Sequence, residues 1–134
     1  MAIRGFDHLA LTAADIERTF TFYRDVLGAQ VLYEAEWRAG KMPVVILQLG
    51  VNRINVHPAA QPVAPHAARP TPGSVDLCFR WDAPLDAAVA LLRAKGVAIE
   101  EGPVPRPAAD AAWGSSVYFR DPDGNLIELL STVA

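Results

Sequence analysis

The sequence predicts an α+β fold built from two βαβββ modules, with mixed sheets curved into a cup and helices outside. Three observations carry that prediction. A strand pattern, a helical pattern and a glycine occur twice, as His8-Leu9-Ala10-Leu11 through Gly28 and as Asp76-Leu77-Cys78-Phe79 through Gly96. The same interval of 20 residues separates His8 from Gly28 and Asp76 from Gly96. Further strand patterns follow each glycine, and a proline-rich stretch divides the copies. A repeated supersecondary unit in a short chain predicts pseudo-symmetric halves, with polar groups of corresponding strands converging.

Phe6 to Leu11 reads as the first strand, a short apolar run ahead of a capping residue. Asp15 is placed to cap a helix in which Ile16, Phe20, Tyr23 and Leu27 recur at helical steps, and Gly28 ends it. Strands are expected at Gln30 to Glu34, Val44 to Leu49 and Asn52 to His57, the last two forming a hairpin across Gly50. Module one thus covers about residues 3–57. Pro58, Pro62, Pro65, Pro70 and Pro72 exclude a helix or a central strand from residues 58–73, which read as an extended connector.

Module two covers about residues 74–131. Val75 to Trp81 is its first strand, Pro84 occupies the first helical turn, and Leu85, Ala88, Val89 and Leu92 form the buried stripe up to Gly96. Val97 to Glu101 is the next strand, and a Pro-rich loop covers Pro103 to Ala112. Ser115 to Arg120 and Leu126 to Leu130 form a hairpin, because Asp121-Pro122-Asp123-Gly124 puts Pro and Gly where a turn needs them.

At 134 residues the chain suits a single domain, one that buries roughly two-thirds of its unfolded surface without covalent staples. Cys78, the only cysteine, lies in an apolar run and reads as a core thiol in a reducing, cytoplasmic setting. No signal-peptide pattern opens the chain, and no run approaches the ~20 apolar residues that span a bilayer. A net charge of −3 with mixed signs argues against nucleic acid, which selects a basic face. A small molecule is the expected ligand.

Side chains alternate across a strand, so Asn55 and His57 share a face while Ile54 and Val56 point into apolar packing. Glu128 is isolated among Leu126, Ile127, Leu129 and Leu130, where a carboxylate is costly unless it is paired or bound to a cation. His8 and Asp76 open the first strand of their modules. Singly, each has a plainer reading: His8 as a hydrogen-bonded structural residue, His57 as a solvated residue before Pro58, Asp76 as a cap or a partner of Arg80. Together, His8, His57, Asp76 and Glu128 make a metal site the expected one. His66, in the connector, reads as a surface residue. Asp121 and Asp123 lack the further oxygens of a calcium loop.

These residues bring out a resemblance to the vicinal oxygen chelate superfamily, which holds glyoxalase I, extradiol dioxygenases, and fosfomycin- and bleomycin-resistance proteins. It rests on Asp7-His8-Leu9-Ala10-Leu11, on Phe22-Tyr23-Arg24-Asp25-Val26-Leu27-Gly28, and on the run Phe119-Arg120-Asp121-Pro122-Asp123-Gly124-Asn125-Leu126-Ile127-Glu128. Asn55-Val56-His57-Pro58, the stretch from Pro70 to Asp76 and the stretch from Glu100 to Arg106 are similar to a subgroup, the glyoxalase domain-containing protein 5 and virulence-associated proteins. The resemblance implies one divalent ion per site (Zn, Ni, Mn or Fe(II)), a homodimer, and ligands on the first and last strands of each module. Here those are His8, Asp76, Glu128 and either Asn55 or His57. Strict register with Glu128 selects Asn55, whereas the better donor two residues on is His57. Glyoxalase I and the dioxygenases usually carry His where this chain has Asp76.

The chemistry so implied is glyoxalase-like isomerisation of the lactoylglutathione lyase type. Vicinal substrate oxygens are chelated, an enediolate is stabilised, and Glu128 or Asp76 moves the proton. Two other readings stand beside it. His8, His57 and Glu128 on Fe(II) would suit extradiol ring cleavage. A non-catalytic binder of a drug or metabolite would use Trp37, Trp113 and Tyr118 as apolar walls, and Asn55, Trp113 and Tyr118 are the expected substrate-pocket residues. Specificity would lie in the loops Ala35 to Pro43 and Pro103 to Trp113.

Overall fold

The computed structural model describes residues 1–134, and the chain divides into two compact units, Met1–Gly73 and Ser74–Ala134. The first unit runs β1 (Leu9–Ala13), α1 (Ile16–Leu27), β2 (Gln30–Leu32), α2 (Glu34–Arg38), β3 (Val45–Leu49) and β4 (Asn52–Pro58). The second runs β5 (Asp76–Arg80), α3 (Leu85–Ala94), β6 (Glu101–Pro107), β7 (Trp113–Arg120) and β8 (Leu126–Ser131). Each unit is an open four-stranded mixed sheet with the same layout. Its order is β1-β4-β3-β2 in one and β5-β8-β7-β6 in the other, so first and last strands lie side by side and parallel. The βαβββ expectation holds in both.

In the first unit, the Asp15 carboxylate accepts the Arg18 N–H at 3.0 Å and opens α1. Gly28, at φ 72°, closes it by donating its N–H to the Arg24 carbonyl. The stripe Ile16, Phe20, Tyr23 and Val26 is buried with Leu11, Ala13, Val45, Leu47, Ile54 and Val56 of the sheet. Each large side chain so buried contributes about 1.5–3 kcal/mol relative to exposure. In the second unit Leu85, Ala88 and Leu92 of α3 are buried, as are Val117, Phe119, Ile127 and Leu129 of the sheet. The alternation that buries those residues turns the intervening ones to the opposite, helix-free face.

Four details differ from the sequence expectation. β1 begins at Leu9, leaving Phe6 outside it and 95% exposed. The strand expected to reach Glu34 stops at Leu32, where Tyr33 turns left-handed at φ 67° and starts the short helix α2 inside an expected loop. The strand expected at Val97 to Glu101 lies instead at Glu101–Pro107, within the stretch read as a Pro-rich loop. β6 is the outer strand of its sheet, where prolines without an N–H to pair are tolerated, and Pro103, Pro105 and Pro107 are among its exposed positions. Its ladder shifts register between Glu101 and Val104, and Gly102 approaches β7 so closely that a Cβ there would stand 2.3 Å from the Ser116 carbonyl oxygen. Finally, Cys78 is exposed and not a core thiol, because Leu77 and Phe79 take the packed face of β5.

Candidate functional site

On the helix-free face of the first sheet, the parallel ladder pairs Ala10 with Asn55 and Thr12 with His57, while His8 stands just ahead of β1. These five residues line one cavity of about 440 Å³. The connector closes its other side with Pro58, Pro62, Val63, Pro65 and Pro70, so a proline wall faces a polar floor. The Asp7 carboxylate accepts a hydrogen bond from Nδ1 of His8 at 2.8 Å, which orients the ring and leaves Nε2 on its far side. Burial, and then the neighbouring His8, push the His57 imidazole below its ordinary range. Burial thus favours the neutral His57 ring at neutral pH, the form that binds metals and accepts hydrogen bonds.

On the matching face of the second sheet, Asp76 and Cys78 of β5 stand beside Leu126 and Glu128 of β8. Glu128 is half-buried and is flanked across the ladders by Cys78 and Tyr118. Ser116 Oγ donates to Glu128 Oε2 at 2.6 Å. The Tyr118 hydroxyl accepts from Arg106 Nε at 2.9 Å, and that guanidinium lies 5.5 Å from the centre of the Tyr118 ring. Burial pushes the Tyr118 hydroxyl up, against the pull of Arg106. Desolvation and then Glu128 push the Cys78 thiol up to about 11, which keeps it protonated and unreactive at neutral pH. A second cavity, of about 350 Å³, is lined by Cys78, Arg80, Glu128 and Leu130 with Pro107 to Ala109 above them.

A family model for the glyoxalase/bleomycin resistance protein/dioxygenase superfamily matches residues 5–129. The chain belongs to that superfamily. Among superfamily proteins it resembles virulence protein STM3117 of Salmonella typhimurium strain LT2, with 42% identity over 130 residues, 96% of this chain and 85% of that protein. The crystal structure of STM3117 matches with a TM-score of 0.86 at 40% identity, covering 98% of both chains. Glyoxalase domain-containing protein RDO1 of Mycosarcoma maydis is 37% identical over 131 residues, 98% of this chain and 70% of its own. TnmS3, an antibiotic binding protein from Streptomyces sp. CB03234, matches with a TM-score of 0.75 at 26% identity and 98% coverage of both chains.

Within this superfamily fold, the expected ligands divide as pairs, with His8 and His57 in one unit and Asp76 and Glu128 in the other. No group of three or more His, Cys, Asp or Glu side chains in the chain is placed to hold a metal ion. In kind, neutral imidazoles and carboxylates suit a borderline divalent cation. The register confirms the conflict between Asn55 and His57: Cys78 pairs with Glu128 as Ala10 pairs with Asn55, so Asn55 is the counterpart of Glu128.

The expected pocket residues are scattered. Trp113 is 70% exposed at the start of β7. Trp37 stacks edge-on against Phe20 at 5.7 Å and lines a different cavity with Ile16 and Met42. His66, read as a surface residue, is exposed but lines the proline-walled cavity, and its Nδ1 bonds the Ala67 carbonyl at 2.8 Å. Asp7, Ser116 and His66 are the residues that sequence reasoning passed over. Only Asp7 carried a signal, as the acidic neighbour of a candidate ligand.

Proposed function

We propose that this protein is a metal-dependent enzyme of the glyoxalase type, acting on a small substrate with two adjacent oxygens. The observation that supports it is the pair of imidazoles, His8 and His57, on the floor of a proline-walled cavity. In this reading His8, His57 and Glu128 hold one divalent ion (Zn, Ni, Mn or Fe(II)), with Asp76 as a fourth ligand or a nearby base, and the chain works as a homodimer. When bound, the ion supplies Lewis acidity toward the substrate oxygens. Glu128 or Asp76 takes and returns the proton between carbons, while the prolines exclude water from the substrate's apolar side. Extradiol ring cleavage uses the same donors with iron. A binding protein without catalysis is the second reading, in keeping with the antibiotic binding protein TnmS3 among the chain's structural matches.

The test is elemental analysis of protein purified without added metal, followed by reconstitution and assay on methylglyoxal with glutathione and on catechol. One equivalent of metal, lost in Glu128→Gln without change in thermal unfolding, is the expected result. Thioester formation with Ni, Zn or Mn identifies the isomerase, and oxygen uptake with iron identifies the dioxygenase. Failure to bind any metal after reconstitution would sink the enzymatic reading and leave the binder.

A further inference from the structure

We propose that Ser116 is a positioning residue for Glu128, fixing the carboxylate so that Oε1 is the oxygen presented to a cation. This rests on the metal-dependent reading above. Ser116 is wholly buried at the centre of β7, where a hydroxyl without a partner would be costly. It meets that requirement through one contact, the 2.6 Å bond from Oγ to Glu128 Oε2. A hydroxyl bonded to a carboxylate donates its proton, so one lone pair of Oε2 is taken and the carboxylate plane is set.

Two features hold Ser116 itself in place. Gly102 of β6 lies against its backbone at a distance no side chain would permit, and Ser116 pairs with Leu130 in the β7–β8 ladder, two residues from the pairing of Tyr118 with Glu128. Ser116 and Tyr118 thus stand on the same face of β7 as Glu128 does on β8. The Tyr118 ring, beside Glu128 in the ladder, is pinned in turn by Arg106. A ligating carboxylate with a fixed partner loses less freedom on binding metal, and loss of such a partner costs roughly 10–100-fold in affinity.

The test titrates Mn(II) alone into metal-free protein, reading affinity by calorimetry and the metal environment by electron paramagnetic resonance. Ser116→Ala should weaken Mn(II) by roughly 10–100-fold and alter the resonance spectrum, and Ser116→Thr, which keeps the hydroxyl, should restore both. Ser116→Cys keeps the volume with a weaker donor, so it gives the same direction of change should the alanine variant not fold. Wild-type affinity and spectrum in the alanine or cysteine variant would overturn the role of Ser116 while leaving the metal reading intact. Absence of Mn(II) binding in the wild type would overturn both.

Discussion

At the scale of single residues, the two candidate partners of the first sheet can be ranked by chemistry. Asn55 occupies the register position of Glu128, but an amide oxygen is a weak ligand for borderline metals. His57 is displaced by two residues along β4 yet offers an imidazole kept neutral by burial and by His8. His57→Ala should therefore weaken metal binding by at least tenfold and Asn55→Ala by much less, as measured by titration of the metal-free variants. The reverse order would mean that repeat symmetry governs the site. The oddity of Glu128 was legible in the sequence, since a lone carboxylate among leucines asks for a partner. The identity of that partner was not. Ser116 lies on another strand, and only the register set by the turn brings the two side chains together.

Elements are held by their ends, and the turn between β7 and β8 is the clearest case. Asp121 Oδ1 accepts the N–H groups of Asp123 and Asn125 at 3.0 and 2.9 Å, and its Oδ2 accepts Asn125 Nδ2 at 2.7 Å. Asn125 Oδ1 then accepts the Val75 N–H at 2.9 Å, which ties the turn to the entry of β5. Asn125 is wholly buried, so Asn125→Ala would strand polar groups on both sides and should cost about 1–3 kcal/mol for each group left unpaired, read by urea unfolding. Asn125→Asp should do no better, because it places a carboxylate where Asp121 needs a donor. The Asp-Pro-Asp-Gly run announced a turn, although nothing local showed that Asn125 reaches across to β5. β6 was hidden for a different reason: its prolines deny a central strand, and whether a strand is central or outermost is a property of the sheet.

For the whole molecule, the duplication was the most legible feature, because helix caps, closing glycines and apolar stripes are local and recur in order. Both units have the same strand order, and each has its own buried core. What the sequence could not supply was which side chains meet across the ladders. The stretch that ends the first unit, residues 58–73, carries a further consequence for how the chain can be cut. It holds no lysine, and its one arginine, Arg69, is followed by Pro70, a bond that trypsin does not cleave. The connector is largely exposed, as protease-sensitive segments are, so the protection comes from sequence and not from burial. Brief trypsin digestion of the native protein should leave the two units joined, as mass spectrometry of the products would show, and Pro70→Ala should release them. A protease that cuts beside alanine would find Ala60, Ala67 and Ala68 open to it.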